Sequence, residues 1–288
     1  MAIPGILYFI IFHYIPMTGI ILAFKDFKAA LGVFGSSWVG LKNFHFLVIS
    51  GAMGRVTFNT LFYNVLFFFS NDIIAVIIAI FISEMSRRQI RKMYQSLLFL
   101  PYFLSYVVVG VFAYSLMNYE YGVLNSMLTG MGLDRVDFYG KPLLWYLIIP
   151  LFNIWKWVGY TSIIYMAAII GIDQEQFEAA RIDGASTWQS VRYIIIPALI
   201  PTFTILFLFR VGQMMRGQFD LFYNLVGNNS PLYATTDVVD TFVFRALVNN
   251  FDIGIATATG FYQSVFGLIL ILGVNGIIRR INSENALF

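Results

Sequence analysis

A chain of 288 residues with 59% apolar and only 11% charged side chains carries too little charge to clothe a soluble surface, since an average soluble domain is about 25% charged and the remainder would be one large apolar patch. Zero cysteines exclude disulfides, thiolate metal sites and a cysteine nucleophile; the two histidines, His13 and His45, leave almost nothing for imidazole metal chemistry. A net charge of +3 is too small a bias to argue for nucleic acid, so the chain reads as an all-α polytopic membrane protein whose solvent is the lipid bilayer.

A helical crossing needs about 20 apolar residues. Residues 1–24, 93–119 and 253–278 are free of charge; residues 56–83 are interrupted by Asp72, 142–172 by Lys156, and 193–215 by Arg210. Six spans are predicted, near 3–24, 58–83, 95–117, 144–170, 194–215 and 256–278. Backbone groups cannot go unpaired in lipid, which leaves helices or a closed barrel. Residues 65–69 and 73–82 are apolar on both faces rather than alternating, so helices win. Pro4, Pro16, Pro101 and Pro150 are expected as kinks absorbed by neighbouring helices. The first apolar run lacks the basic flank of a signal peptide and Pro16 interrupts it, so it is read as a true span.

The loop 84–93 holds Arg87, Arg88, Arg91 and Lys92, and Arg279 and Arg280 follow the last span. Lys25, Lys28, Lys42 and Arg55 sit on the opposite side. Charge density in the short loop favours it as the inner one, with both termini cytoplasmic. The outer loops are long, and the third contains the turn cluster Gly227-Asn228-Asn229-Ser230-Pro231. No internal repeat stands out, and residues 1–288 read as a single transmembrane domain.

The connection 171–193 is more ordered than a linker needs. Asp173 is a good N-cap with Gln176 three residues on, which predicts a helix over 174–182. Gly184 can take the left-handed conformation that ends it. Ser186 with Gln189 is a second capping pair, starting a helix that leads through Pro197 into the fifth span. The loop carries Asp173, Glu175, Glu178 and Asp183 against Arg181 and Arg192. Anionic lipid would repel such a helix, so a protein partner with a complementary groove is the better expectation.

Glu178-Ala179-Ala180, then Gly184, Ile194 and Ile196-Pro197, resembles the EAA signature of bacterial ABC importer membrane subunits, in the loop where that family has it. Isoleucine at 196 stands where the family has leucine. The opening stretch from Pro4 to Phe24, Leu100-Pro101-Tyr102, Ile154-Trp155-Lys156 and residues 237–245 look like the carbohydrate-uptake branch, which includes the maltose and alginate importers. The resemblance implies a type I ABC importer membrane domain in the bacterial inner membrane: six transmembrane helices and a cytoplasmic coupling helix between the fourth and fifth. It implies a second homologous membrane subunit, two cytoplasmic ATPase subunits and an extracytoplasmic solute-binding protein. ATP and Mg would bind the partner ATPases and no cofactor this chain, which has no GxxxxGK[ST] loop. Coupling would fall to Glu178, Ala179, Ala180, Gly184, Ile194 and Pro197. The family begins with a cytoplasmic leader, so one is expected to precede Met1.

Ionisable groups inside spans usually face a cavity or a partner. Asp72, after Asn71, is expected to hydrogen-bond across a helix interface. Trp155 and Lys156 fit two readings equally: rings and a cation for stacking and hydrogen-bonding sugar, or interfacial tryptophans and a snorkelling lysine. Arg210, Gln213 and Arg216 recur at helical spacing and are expected to form a polar stripe facing the cavity. Lys156, Arg210 and Arg216 together point toward an anionic, alginate-like polyuronide among the oligosaccharides the resemblance implies. A stand-alone secondary carrier for a small polar solute is the competing function, with Asp72 as its coupling carboxylate.

Overall fold

The computed structural model describes residues 3–281. Among these, five helical runs are long and apolar enough to cross a bilayer: Ile3–Phe24, Ala52–Ser83, Pro142–Ile170, Thr187–Val211 and Ile253–Gly276. A sixth crossing is made only if a bent helix pair counts as one span. The chain packs as two compact units. Among the described residues, one comprises 3–61, Met215–Phe219 and Asp237–Leu270; the other comprises Phe62–Met214, Asp220–Thr236 and 271–281.

In the first unit, the opening span changes pitch along its length. An α-helical start at Ile3–Phe9 gives way to a π-helical turn at Ile10–Tyr14 and ends as a 3-10 segment, Thr18–Phe24. Pro16 explains the wide turn, because a proline ring collides with the carbonyl four residues back and cannot donate to it. A short antiparallel pair follows, Lys25 opposite Trp38 and Asp26 opposite Ser37. Buried Lys25 closes that hairpin by donating from Nζ to the carbonyls of Val33 at 2.7 Å and Phe34 at 3.2 Å. Asp237, 1% exposed, is held by Arg245 at 2.6 Å and Arg55 at 3.5 Å, and its Oδ1 accepts from Thr241 Oγ1 at 3.0 Å. Asp240 Oδ1 accepts from Gln263 Nε2 at 2.8 Å, and burial raises its carboxyl above the ordinary range. Both aspartates thus serve the packing of this unit.

The second unit departs from expectation at the third span. One span near 95–117, kinked at Pro101, is predicted; instead Arg88–Phe103 and Tyr106–Met117 meet at 97°. The cause is local. Pro101 sits in a 3-10 turn, Leu100–Phe103, after which Leu104 is extended. Ser105 then caps a fresh helix by accepting from Val108 N. Tyr106–Met117 has only 12 residues, about 18 Å of rise, against the roughly 30 Å of hydrocarbon. Arg88–Phe99 lies so close to the fourth span that a Cβ built on Gly159 would fall 1.9 Å from the Leu98 carbonyl oxygen.

The fifth span also ends early. Its helix stops at Val211 with Gly212 as C-cap, and residues 212–215 are turns rather than the predicted continuation. Another π-helical turn, Val191–Ile195, precedes Pro197 in it. The core of this unit gathers Ala75 and Ala79 from the second span, Tyr165 and Ile169 from the fourth, and Ile195 and Leu199 from the fifth.

Candidate functional site

The connection between the fourth and fifth spans folds as its capping residues dictate. Asp173 Oδ1 accepts from Glu175 N at 3.0 Å and starts the helix Gln174–Ile182. Gly184, at φ +77°, reverses the chain, and Ala185 N reaches back to Ala180 O at 2.8 Å. Ser186 and Gln189 form a reciprocal capping box that starts the helix entering the fifth span. Glu178 and Ala179 are exposed, while Ala180 is half-buried. Ile194 packs on the core beneath, and Pro197 lies in the first turn of the span helix. These two therefore position the loop from below rather than lying on its surface.

Sequence reasoning passed over three residues here. Phe177 packs against the core of the unit and pins the short helix to the ends of the spans. The signal was available: one aromatic in a nine-residue helix whose other residues are polar apart from Ala179, Ala180 and Ile182. Ile182 and Trp188, 86% and 70% exposed, flank Gly184 and place apolar surface beside the acidic helix. Large exposed apolar groups around a rigid corner are what a protein-docking surface requires.

Within the spans, Lys156 is not open to a ligand. It is 4% exposed. Its Nζ donates to the carbonyls of Pro101 at 3.4 Å, Tyr102 at 3.0 Å and Leu104, and lies 4.8 Å from the Tyr106 ring centroid. An ammonium has three donors, so the broken helix pair takes them all. Neither of the two readings of residue 156, a sugar-binding cation or a snorkelling lysine, matches these contacts: Lys156 caps the break in the third span. Trp155 stacks on Phe112 with centroids 5.8 Å apart.

The predicted stripe of Arg210, Gln213 and Arg216 does not share one helix, because the helix ends between the first and second of them. Arg210 alone stays on the span, half-buried, with its guanidinium 5.9 Å from the Trp157 ring. Trp157 meets Tyr102 edge-on at 5.3 Å, and Tyr102 stacks on Tyr160 at 4.8 Å and on Phe99 at 5.3 Å. This ring ladder beside one cation went unpredicted, since it depends on the 97° bend. Asp72 is buried and accepts from Tyr165 OH at 2.5 Å, while Asn71 donates to Thr161 Oγ1 at 2.8 Å. Both tie the second span to the fourth, as the reading of a helix interface requires.

A separate cleft of about 770 Å³ opens between the end of Tyr106–Met117, residues 137–139 and residues 224–229. Tyr139 lines it, and burial, with Tyr114 nearby, pushes its phenol up to about 12, so the hydroxyl stays protonated near neutrality.

Residues 73–283 match the family described as binding-protein-dependent transport system inner membrane component. Protein LplB of Bacillus subtilis (strain 168) is 31% identical over 287 residues, covering 99% of this chain and 89% of that protein. The polygalacturonan/rhamnogalacturonan transport system permease protein YteP of the same organism is 30% identical, covering 99% and 88%. A chain in the crystal structure of a bacterial ABC transporter involved in the import of the acidic polysaccharide alginate superposes with a TM-score of 0.87 at 33% identity, covering 97% of this chain and 93% of that one. With the ordered corner at Gly184 between the fourth and fifth spans, these likenesses make the chain a member of the binding-protein-dependent transport system inner membrane component family, an ABC importer permease with the type I membrane fold.

Proposed function

We propose that the chain forms one half of the path of an ATP-driven saccharide importer and receives its driving force through the loop 171–193. The observation that carries this reading is the loop itself: an exposed acidic helix with two small residues, pinned by Phe177 to the span core and closed by a left-handed glycine. Glu178, Ala179 and Ala180, with Ile182 and Trp188, would enter a cleft on an ATPase subunit. Ala179 and Ala180 permit close approach, and Gly184 holds the angle. Movement of the ATPase would pass through Phe177 and Ile194 to the second, fourth and fifth spans, which share the core cluster. Two ATPase subunits would carry ATP and Mg, and ATP would shift the equilibrium by binding their closed arrangement more tightly.

A second homologous membrane subunit would complete the path, and a solute-binding protein would dock on the extracytoplasmic side. With the bent pair Arg88–Phe103 and Tyr106–Met117 taken as one crossing, loop 84–93, with its four basic residues, and loop 171–193 lie on the same side. This supports cytoplasmic termini. A saccharide is the cargo that the names of the relatives and the ring ladder of Phe99, Tyr102, Trp157 and Tyr160 favour. Trp155, Arg210, Gln213 and Arg216 remain candidates for the path. The buried contact between Asp72 and Tyr165 gives the stand-alone carrier no free coupling carboxylate.

The test is co-purification and sugar-stimulated ATPase activity of the assembly. The parent chain is expected to bring an ATPase and a second membrane subunit with it, and Glu178→Arg combined with Gly184→Val to lose the ATPase alone. A chain that purifies singly and transports without ATP would sink the proposal.

A further inference from the structure

The cleft of about 770 Å³ lies within one compact unit, inside the range of about 300–1,000 Å³ typical of small-ligand sites. It sits far from the coupling loop. The helical run Pro142–Ile170 begins beside it and ends where the loop 171–193 starts; 29 residues at 1.5 Å each put the two roughly 43 Å apart. On the proposed topology this is the extracytoplasmic mouth.

The walls are built in advance. Asn125, 1% exposed, donates to Val136 O at 3.0 Å and accepts from Val136 N at 2.8 Å, locking the strand of chain before Asp137. Asn229 donates to Tyr139 O at 3.0 Å, and Trp145 Nε1 to Phe138 O at 2.8 Å. Asp137 Oδ1 accepts from Gly140 N at 2.9 Å. A cleft held this way loses little entropy when a ligand enters.

Its chemistry is that of a hydroxyl-rich ligand. Tyr119 is 50% exposed and offers a ring face and a phenol. Asn118, Asn224 and Asn228 line it with amides, and Asp137 supplies a carboxylate. No lysine or arginine is among the lining residues. A uronide carboxylate entering here would meet Asp137 with no cation among the lining residues, whereas the hydroxyls of an uncharged sugar can donate to it.

We propose that this cleft is a subsite for uncharged saccharide units, so that the importer admits neutral sugars here and disfavours polyuronides. The proposal rests on the saccharide reading above and sharpens it.

The test is carboxyl and tyrosine footprinting by mass spectrometry on the assembled importer in nanodiscs, without its binding protein. The probes are a panel of neutral trisaccharides (of glucose, galactose, xylose and arabinose) and trigalacturonate. At least one neutral trisaccharide is expected to protect Asp137 and Tyr119, with trigalacturonate about tenfold weaker. In Asp137→Asn, which keeps the acceptor for Gly140 N, the gap read at Tyr119 is expected to close. Tyr119→Ala is expected to weaken neutral-sugar protection of Asp137 without changing the gap. Trigalacturonate protecting as well as the best neutral sugar, or no sugar protecting while the binding protein alone does, overturns the proposal. Sugar-stimulated ATPase activity measured in parallel, with the binding protein, reports on the importer reading separately: its presence with an unprotected cleft refutes only the subsite.

Discussion

Replacing Lys156 by methionine separates two roles that a membrane lysine can have. The ammonium is 4% exposed and donates to the carbonyls of Pro101, Tyr102 and Leu104, where the third span turns through 97°. Pro101 O also accepts from Leu104 N at 3.2 Å, so the loss falls mainly on the other two carbonyls. A buried acceptor stripped of its partner costs about 1–3 kcal/mol, which puts the variant at roughly 2–6 kcal/mol of destabilisation. At about 2–4 °C per kcal/mol for a chain of this size, the melting midpoint should fall by about 4–24 °C. The assay is fluorescence-detected size exclusion after a heating series in detergent, with Lys156→Arg as the partial rescue. A Lys156→Met protein that melts within a degree of the parent yet loses sugar-stimulated ATPase activity would refute the capping role and restore the substrate contact.

Gly184→Val forces a β-branched residue into φ +77° with nothing packed within 4 Å; the expected result is loss of ATPase co-purification with the melting midpoint lowered by only about 2–8 °C, since the strain of roughly 1–2 kcal/mol is confined to an exposed corner. A variant that still binds the ATPase would show that the corner angle does not matter. Gly159→Ala sets a methyl 1.9 Å from the Leu98 carbonyl and should cost about 1–3 kcal/mol by overpacking, read as a lower midpoint; an unchanged midpoint would mean the two helices separate freely. For Asp240, burial raises the folded carboxyl's affinity for its proton, so the folded protein gains stability as pH falls and loses it as pH rises through that value. Asp240→Asn should therefore melt higher than the parent at pH 7, the difference shrinking toward pH 4, and a variant less stable at pH 7 would contradict the burial argument.

The coupling loop was legible because helix caps are local: Asp173, Gly184, Ser186 and Gln189 act within three residues of themselves, and each is where the sequence places it. The spans were legible because bilayer thickness sets their length. The bend at Pro101 was not, since a proline reads equally well as a kink that neighbours absorb; what turns it into a break is Lys156, 55 residues away, accommodating the freed carbonyls. The polar stripe failed for a related reason. Spacing of three implies a shared face only while the helix lasts, and it ends at Val211. The cleft joins residues about 110 positions apart, and no local pattern encodes such a meeting.

The wide turn at Val191–Ile195 has a rotational consequence. An α-helix advances about 100° per residue, and a π-helical turn inserts one extra residue into it. Ile196 N bonds to Val191 O, five residues back, so every side chain after it is swung by about 100° relative to an uninterrupted helix. The surface that the fifth span presents along its length is thus phased independently of the capping box at Ser186. Deleting one residue from this turn would leave the coupling corner intact and turn Arg210 away from Trp157, like a key cut correctly and inserted a quarter-turn out.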